Sequence, residues 1–182
     1  MEIKIKTLTP IWTGDTYRKS GKLRETSIIG SLRWWFEAIV RGLGGKACDS
    51  VSSEKCEYKS NTHQICTVCH LFGCTGWSRR FSVNVDSFFK EIFSGTLKIR
   101  GTQKSWYYDS GIMSVNNAKM TIKPVFPLNL KEIRDDEILE SVMKVLLGFI
   151  SNWGMVGGKT AIGYGVAIFG DKSSAVKPSK MI

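Results

Sequence analysis

The stretch Gly154-Met-Val-Gly-Gly-Lys-Thr-Ala-Ile-Gly-Tyr-Gly-Val-Ala-Ile-Phe169 is a glycine-rich loop that leads into a short apolar strand. Five of its first twelve residues are glycines, which lack the side chains that would keep another backbone at a distance. Lys159 adds a positive charge in the middle of the loop. Backbone N–H groups around one cation make a suitable cradle for phosphate. The alternative is a connection that only turns tightly between a helix and a strand.

The letters Gly158-Lys159-Thr160 match the end of a nucleotide-binding P-loop, but the rest of that motif is missing. The motif needs a glycine five residues before Gly158, where this chain has Trp153. It also needs a strand before the loop and a helix after it, whereas here the helix comes first. The pattern therefore argues against an ATP or GTP site.

Two amphipathic helices are predicted before the loop. One covers residues 27–42, where apolar residues repeat at helical spacing, and Ser27 or Ser31 is expected to cap it. Within it, arginines at positions 33 and 41 lie four residues from a glutamate on either side and are expected to pair with it. The other helix runs from about residue 135 to Trp153.

Short segments of alternating apolar residues predict the strands around these helices. A hairpin arm is expected between residues 101 and 117, which contain turn-forming residues. The order strand, helix, strands, helix, strand is the split βαβ arrangement. We therefore predict an α+β fold, a single ferredoxin-like (RRM-like) domain over residues 1–170 with a Cys-rich insertion at 46–78 and a polar tail at 171–182. The predicted strands lie near residues 3–8, 81–85, 97–99, 120–122 and 166–169.

Composition points to a polyanionic partner. The formal net charge is +10, from 26 basic and 16 acidic residues. With six Trp, nine Phe and five Tyr, the chain also has aromatic rings that could stack on unpaired bases. No stretch approaches the roughly 20 apolar residues of a membrane span, and the N-terminus lacks an apolar signal core. We therefore expect a nucleic-acid partner, no membrane partner and a cytoplasmic location.

The cysteines suggest a structural metal site. All five lie between residues 48 and 74, and Cys66-Thr-Val-Cys69 has the two-residue gap with which two thiolates grip one tetrahedral ion. Cys48 and Cys56 could complete a zinc site with four thiolates, which would have no open position for catalysis. Reduced free thiols and disulfides are the alternatives, and the odd cysteine count disfavours disulfides.

Four motifs follow one another along the chain. They are Leu8-Thr-Pro-Ile-Trp-Thr-Gly14, Gly30-Ser-Leu-Arg-Trp-Trp-Phe36, Cys69-His-Leu-Phe-Gly-Cys-Thr-Gly-Trp77 and the glycine-rich loop. In this order they resemble the RAMP superfamily of CRISPR proteins, and within it the strongest resemblance is to subunit one of the type III-B (Cmr) effector complex. The resemblance implies an RNA-binding, non-catalytic subunit that contacts CRISPR guide RNA, target RNA or both, together with other Cmr subunits, in defence against foreign nucleic acid.

Two alternatives to this function stay open. One is an endoribonuclease of the same superfamily that processes CRISPR RNA, for which His63, His70, Asp15 and Asp109 would be the candidates. The other is a structural subunit that contacts only protein. We predict no catalytic residue. The predicted RNA-binding residues are Arg24, Arg33, Trp34, Gly157, Gly158, Lys159 and Thr160, of which Trp34 is the stacking residue because it lies off the apolar stripe.

Overall fold

In the part of the chain that the structure describes, eight strands and three α-helices follow one another in an order that builds a four-stranded sheet with two long helices beside it. In this computed structural model the chain is described over residues 1–14, 20–49, 51–53, 55–59, 65–86, 89–92, 95–98, 103, 105–108, 111–114, 118–125 and 135–170. The elements are β1 (Glu2–Thr7), α1 (Glu25–Gly42), α2 (Thr67–Phe72), β2 (Phe81–Val85), β3 (Phe89–Ile92), β4 (Gly95–Lys98), β5 (Ser105–Tyr108), β6 (Gly111–Ser114), β7 (Lys119–Pro124), α3 (Asp135–Trp153) and β8 (Ala167–Phe169).

The main sheet has the strand order β2-β7-β1-β8, and every neighbouring pair is antiparallel. This is the order that two split βαβ units produce, so the predicted ferredoxin-like α+β fold is confirmed. The central pair aligns Ile3 with Met120, and β8 aligns Phe169 with Ile5.

One face of the sheet is buried, as the alternation of side chains requires. Along β1, Ile3, Ile5 and Thr7 are buried while the residues between them are exposed. The apolar stripes of α1 and α3 cover this face. The buried apolar residues of the two helices are Ile28, Leu32, Leu139, Met143, Leu146, Leu147 and Ile150.

Three local details differ from the sequence prediction. The serine cap of α1 is wrong, because the helix begins at Glu25 and the capping residue, Arg24, makes no side-chain cap bond. The hairpin arm begins earlier than predicted, since β3 pairs with β6 and β4 with β5 between β2 and β7. Within the Cys-rich segment the short helix α2 was not predicted. The tail at 171–182 lies outside the described residues.

Among the described residues, no helix combines the length and apolar character that crossing a membrane requires.

Candidate functional site

The glycine-rich loop is held against two other parts of the chain by its own N–H groups. The N–H of Gly157 donates to Ser31 Oγ at 2.8 Å, which ties the loop to α1. The N–H groups of Gly158 and Gly165 donate to the carbonyls of Trp12 and Pro10, both at 2.8 Å. The N–H groups of Gly157 and Gly158, which were predicted to cradle phosphate, therefore already have acceptors within the protein.

Glycine is nevertheless required in this loop, for reasons of space. A Cβ on Gly157 would lie 2.6 Å from the carbonyl oxygen of Trp12, and the residue has a φ of +85°. A Cβ on Gly158 would lie 2.7 Å from the Trp12 ring. The backbone of the glycine-rich loop therefore approaches Trp12 so closely that only glycine fits at these two positions, and the loop packs against the Trp12 ring.

Lys159 lies over the Trp12 ring. Its Nζ is 5.0 Å from the centroid of Trp12 and 5.7 Å from that of Tyr164, within the range of a cation–π contact. The lysine has a φ of +57°, which places it in the left-handed region. The indole nitrogen of Trp12 is buried and has no hydrogen-bond partner among the described residues.

A cavity of about 740 Å³ opens between the loop and the first half of α1, and we call it the tryptophan cavity. Four of the six tryptophans of the chain line it. Trp34 and Trp153 are 60% and 72% exposed, so two large rings stand open to solvent at its mouth. The tryptophans that line the cavity are Trp12, Trp34, Trp35 and Trp153. The other lining residues are Thr13, Gly14, Ser27, Gly30, Ser31, Met155, Gly157, Gly158, Thr160 and Ala161.

Most of the predicted RNA-binding residues meet at this cavity. Trp34, Gly157, Gly158 and Thr160 line it, and Lys159 sits beside it on the Trp12 ring. Sequence reasoning missed the other tryptophans of the cavity. Trp12 stands in a quoted motif and Trp153 ends a helix, but only the fold shows that both line one cavity with Trp34.

Trp35 and Phe36 are partly buried against the core. The indole N–H of Trp35 donates to the Met155 carbonyl at 2.8 Å, which fixes the start of the loop on α1. The Trp34 and Trp35 rings meet edge to face with centroids 4.7 Å apart. Trp34 is therefore exposed and yet held by its neighbour.

Arg33 points away from the loop. Its Nε donates to Glu37 at 2.9 Å, its Nη1 to the Gly73 carbonyl at 2.7 Å, and its Nη2 to Cys69 Sγ at 3.3 Å. The predicted pairing of Glu37 with both arginines is confirmed, with Arg41 at 3.7 Å. The structure thus joins Arg33 to the Cys-rich segment and does not bring it to the tryptophan cavity. Arg24, at the start of α1, is likewise not among the residues that line the cavity.

The four predicted metal ligands converge on one point. The Sγ atoms of Cys48, Cys56, Cys66 and Cys69 all lie within 4.8 Å of one another. Sulfur atoms at the corners of a zinc tetrahedron, with bonds of about 2.3 Å, are about 3.8 Å apart, so the spacing fits this ion. All five cysteines are free thiols, which argues against the disulfide alternative.

Backbone N–H groups surround the thiols of this cysteine cluster. Cys48 and Cys69 donate to Cys66 Sγ at 3.5 and 3.4 Å, and Cys66 donates to Cys56 Sγ at 3.3 Å. Burial alone would raise the pKa of Cys66, but these bonds to its sulfur outweigh burial and lower that pKa to about 7. Burial, followed by the hydrogen bond that Cys69 shares with the Cys48 thiol, raises the pKa of Cys69. The cluster therefore already stabilises a thiolate at one corner, which is the form that binds zinc.

His70 is the one ribonuclease candidate that the structure describes, because His63, Asp15 and Asp109 lie outside the described residues. Its ring stacks on Trp77, with centroids 5.5 Å apart. Burial, followed by the positive charge of Arg80, lowers the pKa of His70. His70 therefore has the environment of a packed side chain beside the cysteine cluster.

The open face of the sheet is basic and has no aromatic ring among the described residues that point to it. On β1 the exposed residues are Glu2, Lys4 and Lys6, and Lys119 of β7 pairs with Glu2 at 2.7 Å. RNA-recognition motifs stack bases on aromatic rings of this face. Among the residues whose side chains the structure describes, the exposed rings Trp34, Phe149 and Trp153 lie on the helices instead.

A family model described as the RAMP superfamily matches residues 4–168. The chain belongs to the RAMP superfamily. A search of curated proteins by sequence finds no match for this RAMP protein.

Solved structures share the fold of this RAMP protein at low identity. A chain of a type IV-B CRISPR complex aligns with a TM-score of 0.53 and 13% identity, over 98% of this chain and 92% of that one. Thermus thermophilus Cas6 aligns with a TM-score of 0.42 and 14% identity, over 92% of this chain and 52% of that one. This chain thus spans about half the length of that Cas6 chain.

Proposed function

We propose that this RAMP protein is a non-catalytic RNA-binding subunit of a type III-B (Cmr) CRISPR ribonucleoprotein, the counterpart of its subunit one. In this role it binds guide RNA, target RNA or both, contacts other Cmr subunits, and acts in the cytoplasm in defence against foreign nucleic acid. The order of the four motifs and the family match support this assignment.

The observation that carries the proposal is the tryptophan cavity. Two indoles, Trp34 and Trp153, are exposed at its mouth, and exposing such large apolar rings is unfavourable unless a partner covers them. Unpaired bases are suitable partners, because each has a flat face that stacks on an indole whatever the sequence. The volume of about 740 Å³ lies in the range of ligand pockets.

Charge beside the cavity supplies the second half of RNA recognition. Lys159 lies beside the cavity on the Trp12 ring, where its ammonium can meet a backbone phosphate. The glycine-rich loop then acts by bringing Lys159, Thr160 and Trp12 to one place, and its N–H groups hold the loop. Arg33 acts by fixing the cysteine cluster on α1.

The cysteine cluster has a structural role in this proposal. Cys48, Cys56, Cys66 and Cys69 would hold zinc, which takes four thiolates in its structural sites. The ion would link residue 48 to α2 across a polar segment that has little apolar material of its own, so binding would fold this segment. The remaining thiol, Cys74, lies outside the set of four.

Two measurements test the proposal. An RNA crosslinking map of the assembled complex is expected to place crosslinks on Trp34 and Trp153, and the isolated chain is expected to bind single-stranded RNA with an affinity that falls as salt rises. The purified chain is expected to leave repeat RNA intact with or without magnesium. Cleavage that copurifies with the chain and disappears in His70→Ala would favour the endoribonuclease. RNA binding that is absent at every salt concentration would favour a protein-contacting subunit.

A further inference from the structure

Trp34 lines two cavities. One is the tryptophan cavity, and the other, also of about 740 Å³, lies between α1 and the start of the Cys-rich segment. The Trp34 ring is 60% exposed and is held edge to face by Trp35. A fixed, exposed indole shared by two neighbouring cavities can contact two consecutive nucleotides.

The second cavity differs from the first in chemistry. Its walls include three charged side chains, Glu37, Arg41 and Asp49, and the Arg41 guanidinium lies 3.7 Å from Glu37 with its side chain 47% exposed. Nη2 and Nε of Arg41 donate to the carbonyls of Cys48 and Ala47 at 2.9 and 3.4 Å. Arg41 therefore supports the wall of the second cavity and presents a cation there, whereas Lys159 lies beside the tryptophan cavity.

The cysteine cluster shapes this wall. Ala47, Cys48 and Asp49 line the second cavity, and the thiol of Cys48 is one of the four that converge. The backbone of Cys48 is held from both sides, by Arg41 at its carbonyl and by Cys66 Sγ at its N–H. Releasing the thiol of Cys48 would free one wall of the second cavity and leave the tryptophan cavity unaffected, because none of the cysteines lines the latter.

We propose that a single-stranded RNA crosses α1 at Trp34, with one base in the tryptophan cavity and the next nucleotides in the second cavity, where Arg41 meets a phosphate. A metal ion at the cysteine cluster would fix the wall of the second cavity. The number of nucleotides that the chain binds would therefore depend on the metal. This inference rests on the proposed RNA-binding function and adds the direction of the path and its dependence on metal.

The experiment uses the full chain and oligouridylates of about four and about eight nucleotides, the lower part of the site sizes of single-strand binding modules. The wild type is expected to bind the longer oligomer more tightly than the shorter one. Arg41→Gln is expected to remove much of this length advantage and to lower the salt slope for the longer oligomer by about 0.7, the value for one phosphate on a single strand. Lys123→Gln, which removes a charge from an exposed residue of β7, is the matched control. It is expected to keep the length advantage and the salt slope of the wild type.

A second variant and a metal measurement keep the test independent of how Arg41→Gln folds. Ala47→Leu narrows the second cavity without altering charge, and it is expected to weaken binding of the longer oligomer only. Removing zinc by chelation, with metal content measured in parallel, is expected to abolish the length advantage, and returning zinc is expected to restore it.

The outcomes separate this inference from the proposed function. Wild-type chain that binds neither oligomer overturns both. Wild-type chain that binds both oligomers equally, or whose length advantage survives Ala47→Leu, Arg41→Gln and zinc removal, overturns the two-cavity path alone. In that second case the cavity beside the cysteine cluster is a surface for protein.

Discussion

The hydroxyl of Ser31 accepts the N–H of Gly157 at 2.8 Å, although the two residues lie 126 positions apart in the chain. The same hydroxyl donates to the Ser27 carbonyl at 3.1 Å, so it uses both of its hydrogen-bonding functions. One side chain of α1 therefore sets the position of the glycine-rich loop, and with it the position of Lys159.

Ser31→Ala removes the acceptor of the Gly157 N–H. We expect the free energy of unfolding to fall by about 1 kcal/mol, because a half-buried donor loses its partner. RNA affinity should fall with it, since the loop that carries Lys159 is released. Denaturant unfolding and RNA titration measure the two effects. Ser141→Ala, at an exposed position of α3, is the control, and equal losses in both variants would contradict the anchoring role.

Gly158→Ala places a Cβ against the Trp12 ring, where the nearest ring atom would lie at 2.7 Å. The ring must move, so we expect weaker RNA binding and a changed tryptophan fluorescence spectrum. Gly148→Ala is the matched control, because a Cβ at that helical position meets nothing within 4 Å. It is expected to stabilise the protein by about 1 kcal/mol through helix propensity. If Gly158→Ala binds RNA as the wild type does, the position of the Trp12 ring is unimportant for RNA binding.

Protein purified without chelators is expected to carry about one zinc per chain, which elemental analysis measures. Chelation should increase hydrogen exchange over residues 46–78 while the main sheet stays protected, since the sheet has its own apolar core. Cys48→Ser should lower the zinc content, whereas Cys74→Ser should leave it unchanged because Cys74 is outside the cluster of four. If the purified protein contains no zinc and residues 46–78 are nevertheless protected from hydrogen exchange, the prediction of a structural zinc site is wrong.

Arg33→Ala leaves the carboxylate of Glu37, only 7% exposed, with the more distant Arg41 as its remaining ion-pair partner. It also removes donors from Gly73 and Cys69. We expect a loss of about 2 kcal/mol in unfolding free energy and weaker zinc retention, because charge-assisted hydrogen bonds are lost. Arg33→Ala combined with Glu37→Ala should recover part of the stability. If the Arg33→Ala protein keeps its stability and its zinc but binds RNA more weakly, Arg33 contacts an RNA phosphate after all.

Trp34→Ala and Lys159→Ala separate stacking from charge. Removing the indole is expected to cost about 1–3 kcal/mol of RNA binding energy and to leave the salt slope unchanged. Removing the ammonium is expected to lower the salt slope by about 0.7 and to weaken all sequences alike. Affinity measured as a function of salt gives both numbers. If both folded variants bind as the wild type does, RNA lies on another surface.

The sequence by itself determined the order of the four main-sheet strands and the two long helices, because the periods of two and 3.6 residues are local properties. It did not predict α2 or the start of the hairpin arm. The CxxC pair and the confinement of all cysteines to one segment likewise indicated four thiol ligands, and the structure brings those four together. Trp34 was placed on the exposed side of α1 by its position off the apolar stripe, and it is exposed.

Only the tertiary structure decided which partners these residues meet. The pattern around Arg33 allowed a phosphate, Glu37 or both, and the fold turned its guanidinium toward Glu37 and Cys69. The N–H groups of the glycine-rich loop were available to any acceptor, and Ser31 and Trp12 became those acceptors. Periodicity reports which face of a helix is buried, whereas a hydrogen bond between residues 126 positions apart depends on how the whole chain folds.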